Sequence, residues 1–536
     1  MTDDGKTLTF GLRLQAALML LALLVATPQG ALAQITAFKQ AVAETAAEDP
    51  ALSAFYRETE YEALWTGRDD AKRRTALVAA LEAAGDHGLP ADRYRPAALR
   101  ELLAGVRSAA DRGRVEVEIS RLFLRYAEDI QSGVLDPGSV DAGLVLDPPR
   151  RDRLAQIRAF SQSSPAAYMR ALPPQSQGYV RLLKEKRRLE RLVGQGGWGA
   201  PVRAGKLEPG DSGPQVIALR DRLIRMGYMD RSAAAGYDAA LQQAVQRFQR
   251  QHGLAEDGVA GDNTLAAINT QARTRLQQVI VGLERERWLN KPLGARHILV
   301  NQADFHGYVV DDGKVSFETR VVVGRTRSDL RTPEFSDVME HMVINPTWNV
   351  PRSIATQEYL PQLKQNPNAV GHLRLIDARG RVVNRQNVDF TQFNERNFPF
   401  DMKQPPSPSN ALGLVKFMFP NRYNIYLHDT PQKSLFGRNV RAFSHGCVRV
   451  QRPFELAYHL LAPQTPDPKG VFHRALDSGR ETQIDLQSPV PVHLTYRTAW
   501  VDPKGGVNYR ADIYGRDGRI FDALSRAGVA LRAIQS

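Results

Sequence analysis

Two kinds of hydrophobic spacing divide the chain. From residue 35 to about 195 apolar residues recur at helical intervals, as in Thr75-Ala-Leu-Val-Ala-Ala-Leu-Glu-Ala-Ala and Val115-Glu-Val-Glu-Ile-Ser-Arg-Leu-Phe-Leu-Arg-Tyr-Ala, which predicts a helical region. The basic stretch Arg181 to Arg191 reads as a solvated helix face. The Gly/Pro-rich segment Gly194 to Gly213 reads as a linker. Residues 210–269 predict three short helices. Val216, Leu219, Leu223 and Met226 share one face; Leu241, Val245 and Phe248 share another; Leu265 and Ile268 form a third behind the cap signal Asp262-Asn263-Thr264. Gly227, Gly253 and Asp257-Gly258 mark the turns. A further amphipathic helix, Gln271 to Trp288, leads out of this unit.

From Arg296 the pattern changes to alternation. His297 to Asn301, Tyr308 to Val310, Lys314 to Val323 and Val343-Ile344 read as strands, with Asp312-Gly313 as a hairpin turn between two of them. A β-rich domain is expected over 296–490, interrupted at 352–405 by a lid-like insertion of mixed helix and turn signals. The tail, 491–536, reads as a closing strand pair. The fold class is multidomain α+β.

Composition narrows the compartment and the chemistry. The 536 residues carry a formal charge of +13, are 43% hydrophobic and include one cysteine. That balance argues against wholesale disorder and against a polytopic membrane protein. Residues 1–33 read as a secretory signal: Lys6 and Arg13 precede or border an apolar run, Leu14 to Ala26, and Ala31-Leu32-Ala33 offers cleavage after Ala33. The alternative is a retained N-terminal anchor. Either way the rest of the chain is expected in the periplasm, with no further span. An exported protein normally uses cysteines in pairs, so a solitary one is either buried and inert or reactive.

That cysteine lies in Phe443-Ser444-His445-Gly446-Cys447-Val448-Arg449-Val450. Gly446 permits an unusual backbone turn before the thiol, and such a turn can present a nucleophile with N–H groups aimed at an oxyanion. Upstream, Asn424-Ile-Tyr-Leu-His428-Asp429 reads as a strand with Ile425 and Leu427 on one face, Tyr426 and His428 on the other. A thiol with an ordinary pKa near 8.5 is only slightly ionised at neutral pH, so a nearby imidazole or cation would activate it. Both His428 and His445 qualify as that partner.

The string Ser444-His445-Gly446-Cys447-Val448-Arg449, preceded by His428, resembles the signature of the L,D-transpeptidases with a YkuD-like domain. Asn345-Pro-Thr-Trp348-Asn-Val-Pro351, Tyr426-Leu-His-Asp-Thr430-Pro and Leu494 to Val501 resemble its long Gram-negative members, which combine a helical scaffold, a wall-binding module, a catalytic domain and a lid-like insertion. The pattern Val216-x-x-Leu219-x-x-x-Leu223, Ala244-Val245-x-x-Phe248-Gln249, Gly253 to Thr264 is similar to the three-helix peptidoglycan-binding module, although Gly236-Tyr237-Asp238 replaces its usual middle turn. The resemblance implies that Cys447 attacks the diaminopimelate carbonyl of a tetrapeptide stem and expels D-alanine, and that an acceptor amine resolves the thioester. It makes His428 the general base, oriented by the carbonyl of Asp429. It puts Ser444, His445 and Gly446 with Cys447 in the oxyanion loop, and Arg449, Trp348, Tyr426 and Asp429 at the substrate. No metal or nucleotide cofactor is implied. The partners are donor and acceptor stems of peptidoglycan and other cell-wall enzymes, with no nucleic acid.

Three other functions fit parts of the pattern. A zinc peptidase could use Cys447, His445 and His428, but no His-Glu-x-x-His run completes a site. A non-catalytic wall-binding scaffold would leave the cysteine without a purpose. The same thioester could also pass to water or to an amine of an outer-membrane protein, and the residues do not distinguish these acceptors. The basic charge is consistent with attraction to stem carboxylates.

Overall fold

The computed structural model describes residues 36–502 and 506–532. The signal segment, with its expected cleavage after Ala33, lies outside the described residues. The chain separates into two compact units, one from residues 1–81, 95–126 and 151–169, the other from 82–94, 127–150 and 170–536. The helical region expected over 35–195 is therefore not one body. In the first unit the buried Glu116 carboxylate accepts N–H bonds from Leu64 and Thr66 at 2.7 and 2.9 Å. It also accepts from the hydroxyls of Tyr56 and Thr66. These bonds satisfy a buried charge and fix the loop carrying Trp65, whose ring stacks on Phe160 at 5.0 Å.

In the second unit the helices Pro214–Met226, Ala239–His252 and Asp262–Asn269 pack their apolar faces together. Asp238 caps the second by accepting the Leu241 N–H at 2.8 Å. Two expectations fail here. The supposed linker is packed: Trp198, Val202 and Leu207 are buried in the same core, and Leu207 pairs with Ala260. The connecting helix, Ala272–Trp288, is not amphipathic, because 13 of its 17 residues are buried. Four of its buried charged groups or their partners are paired, Arg287 with Glu284 at 2.7 Å and Arg285 with Glu334 at 2.6 Å.

The β-domain contains β1 (Arg296–Asn301), β2 (His306–Asp311), β3 (Lys314–Gly324), β4 (Phe335–Ile344), β5 (Trp348–Asn349), β6 (Arg374–Ile376), β7 (Val382–Val383), β8 (Asp401–Gln404), β9 (Val415–Met418), β10 (Leu427–His428), β11 (Ala442–Ser444), β12 (Val448–Val450) and β13 (Thr482–Thr495). Nine of them form one sheet in the order β11-β3-β12-β10-β9-β4-β13-β1-β2, with β2 also paired to β3. Its core includes Val300, Val321, Met342, Phe417, Leu427, Val448 and Val450, covered by the helices Pro453–Leu461 and Pro468–Asp477. β10 runs parallel to β12, with Leu427 opposite Val448 and His428 opposite Arg449. By alternation Leu427, Val448 and Val450 share the core face, while Tyr426, His428, Cys447 and Arg449 share the other.

The insertion is a small body with its own four-stranded sheet, β5-β8-β6-β7, and a core of Ile354, Leu363, Leu375, Phe390, Phe398 and Met402. It begins at Trp348 in β5, before the expected 352. The tail also differs from expectation. Residues 491–495 belong to β13, which pairs antiparallel with β4 and parallel with β1, so the 490/491 boundary falls inside a strand. The expected strand pair is present with shorter strands, β14 (Ala499–Val501) with β15 (Val507–Tyr509). A helix, Arg516–Arg526, follows it. Its Ile520 and Leu524 are buried with Phe521 packed beside them, and Arg516 and Asp517 are buried too, Arg516 3.5 Å from Glu334 and Asp517 3.3 Å from Arg285. Among the described residues no helix is long and apolar enough to cross a membrane.

Candidate active site

The turn that carries Cys447 is held by hydroxyls. Gly446 has φ +117°, a region that a side chain would strain, and an added Cβ would also meet Ile425 at 3.1 Å. The buried Ser444 hydroxyl accepts the Gly446 N–H at 3.1 Å and donates to the Cys447 carbonyl at 2.5 Å. Thr332, fully buried, donates to the Gly446 carbonyl at 2.7 Å and accepts the Gly324 N–H at 2.9 Å. Behind it, Arg516 donates to the Thr332 carbonyl at 2.9 Å, and the Tyr514 hydroxyl donates to the Gly324 carbonyl at 2.6 Å. The missed tail helix thus supports the turn from the far side.

These bonds correct one expectation. The Gly446 N–H is engaged by Ser444, so neither that N–H nor the Ser444 hydroxyl is available to an oxyanion in this conformation. Both shape the turn instead.

The Cys447 thiol is half-buried and donates to the Asn424 carbonyl at 3.5 Å. Burial pushes its pKa up to about 11, opposed by the main chain and hydroxyl of Tyr426 and by the charge of Arg449. His428 is 4% exposed. Its Nδ1 donates to the Asp429 carbonyl at 2.5 Å, and the Leu412 carbonyl also lies against the ring. Burial, then the positive charge of Arg449, lowers its pKa to about 3. Thiol and imidazole are therefore both neutral at pH 7. No hydrogen bond joins them among the described residues; Tyr426 touches both, its ring 5.6 Å from that of His428.

Arg449 donates to Gln432 at 2.6 Å, while its buried Nε has no partner. Asp429 is not free to meet a substrate, contrary to expectation. One carboxylate oxygen accepts the Thr430 N–H at 2.7 Å and pairs with Lys433; the other accepts the Leu414 N–H at 2.9 Å. Gly413 permits this approach, since a Cβ there would sit 2.3 Å from the carboxylate. Trp348, expected to wall the pocket, is buried in the insertion's core, edge-on to Tyr359 at 6.3 Å. His445 does not turn to the thiol. Its Nε2 hydrogen-bonds Glu358 of the insertion at 2.5 Å. Thr332 and Glu358 carry no sequence signal, being a lone loop threonine and one glutamate on a helical turn.

Among the described residues no group of three or more His, Cys, Asp or Glu is arranged to hold a metal ion. A cavity of about 630 Å³ lies elsewhere, lined by Trp198, Tyr228, Arg247, Arg275 and Tyr509 among others, and includes none of these site residues.

Family comparisons place this geometry. The L,D-transpeptidase catalytic domain model, YkuD, matches residues 295–482, which hold Cys447 and His428. That stretch of the chain is similar to a YkuD catalytic domain. A model described as "Scaffold domain" matches residues 50–185 and one described as "Putative peptidoglycan binding domain" matches 212–268. A curated relative from Haemophilus influenzae, named "Putative L,D-transpeptidase", is 36% identical over 227 residues, covering 42% of this chain and 45% of the relative. The chain thus matches under half the length of that relative. A solved L,D-transpeptidase, residues 123–326 from Xylanimonas cellulosilytica, is 17% identical and covers 55% of this chain and 100% of its own, with a TM-score of 0.16. That score is too low to compare folds. The candidate residues within the matched stretch come from β10, the β11–β12 turn and the insertion.

Proposed function

We propose that the protein is an exported L,D-transpeptidase that forms direct diaminopimelate-to-diaminopimelate links in peptidoglycan through a thioester on Cys447. One observation carries the reading: within the residues that match the YkuD model, Cys447 stands immediately before β12, the parallel neighbour of the β10 strand that holds His428. With Nδ1 donating to the Asp429 carbonyl, Nε2 is the basic nitrogen of His428.

The thiol sulfur bonds to the stem carbonyl as its proton passes to Nε2. The bond to D-alanine then breaks, and the departing nitrogen takes that proton. The imidazole is neutral in the resting site, so its Nε2 is free to take the thiol proton. In the second half the acceptor amine attacks the thioester carbonyl and its proton returns by the same nitrogen to the departing sulfur. The energy of the broken amide is preserved in the thioester, and no cofactor enters the balance. Arg449, with an unpartnered Nε, suits a stem carboxylate. The wall module would hold the polymer near the domain.

The half-buried thiol supports a second reading in which water resolves the same thioester. Incubating the mature protein with tetrapeptide muropeptides and analysing products by mass spectrometry separates the two. Cross-linked dimer supports transfer, trimmed monomer alone supports hydrolysis, and unchanged substrate rejects both.

A further inference from the structure

The insertion has its own core, yet it places a polar group against each histidine of the site. At its far end the Leu412 carbonyl lies against His428. At its near end Glu358 Oε1 accepts from His445 Nε2 at 2.5 Å, with Arg325 Nη1 3.9 Å from the same oxygen. Glu358 sits in a π-helical turn, Ala355–Tyr359, a distortion found mostly at functional positions. Its neighbour Tyr359 packs against Trp348, which ties that turn to the insertion's core.

The contact is built to open. The side chains of His445 and Glu358 are 24% and 37% exposed, and a partly solvated ion pair contributes little by itself. It is therefore not needed to hold the insertion folded. What it does is join the insertion to the residue two places before the nucleophile.

We propose that Glu358 is a positioning residue: by holding His445 it latches the insertion over Cys447, so that the thioester meets an amine in preference to water. The partition between acceptors rests on the thioester reading above. The shielding of the thiol does not.

The chain's single cysteine makes the latch measurable, because iodoacetamide reports one site. In the full mature protein, Glu358→Ala is expected to raise the alkylation rate of Cys447 about threefold or more, as an opened lid would. His445→Ala should match it, and the double variant should be no faster than either single variant, because the two act as one unit. Glu358→Gln retains an acceptor oxygen and should stay within about twofold of wild type. With muropeptides, Glu358→Ala should raise the ratio of trimmed to cross-linked product by about threefold. Equal alkylation of Glu358→Ala and wild type, additive effects in the double variant, or a glutamine variant as fast as the alanine one would overturn the latch. If wild type makes no cross-linked product, transfer fails as a reading while alkylation still decides the latch. Unchanged melting temperatures across the series show that the variants are folded.

Discussion

His428 and His445 both lie close in sequence to the nucleophile's strand pair, and their surroundings are opposite. His428 is buried, its ring meets main-chain carbonyls, and the charges acting on it, Arg449 and Lys433, are positive. His445 is half-buried, and a carboxylate from another part of the domain holds its ring. Burial with positive neighbours keeps the His428 imidazole neutral. Partial exposure beside a carboxylate makes an attachment point for a movable body. Under the proposed function, sequence proximity to the cysteine, two residues against nineteen, is a poor guide to which imidazole does the chemistry.

Replacing each ring tests that difference most severely. His428→Gln should lower kcat by about 10²- to 10⁴-fold, the usual contribution of a general base. His445→Gln should cost less than about tenfold and change the product ratio instead, as expected for a gating contact. Comparable losses in kcat from both would erase the distinction.

pH separates them next. Because His428 stays neutral until about pH 3, the acylation rate should show no falling limb near the ordinary histidine value of 6.5. A limb there would assign the base to a different imidazole. Alkylation of Cys447 should rise toward a midpoint of about 11 instead of 9.0. The same shifts act on stability. The unfolded chain binds a proton at His428 between pH 6.5 and about 3 that the folded chain refuses, so the fold weakens as pH falls through that window. Between 9.0 and about 11 the unfolded chain gives up the Cys447 proton that the folded chain keeps, so stability falls as pH rises.

The smallest effect concerns the scaffold of the turn. Thr332→Val keeps the shape but leaves the Gly324 N–H and Gly446 carbonyl without that hydroxyl. The expected loss is about 1–3 kcal/mol in denaturant unfolding, the cost of unpartnered buried groups. An unchanged midpoint would mean that the turn does not depend on Thr332.

Much of the site was readable from local order. Alternation puts Tyr426 and His428 on one face of their strand, and β10 pairs His428 with Arg449, two residues after Cys447. Other features depend on contacts between distant segments. Glu358 and His445 are 87 residues apart, and Thr332 lies 114 from Gly446. Charged side chains are the opposite case. Arg285, Glu334, Arg516 and Asp517 look like solvated residues in the sequence and are a buried network, because each finds an opposite charge from another element. Trp198, in a stretch rich in glycine, was a core residue hidden by its neighbours.

The central claim is a covalent one, and intact-protein mass spectrometry tests it directly. Wild-type protein mixed briefly with a tetrapeptide stem and no acceptor should gain the mass of the stem less its terminal D-alanine, at Cys447, while Cys447→Ala gains nothing. An adduct on the alanine variant, or cross-linking by that variant, would contradict the account.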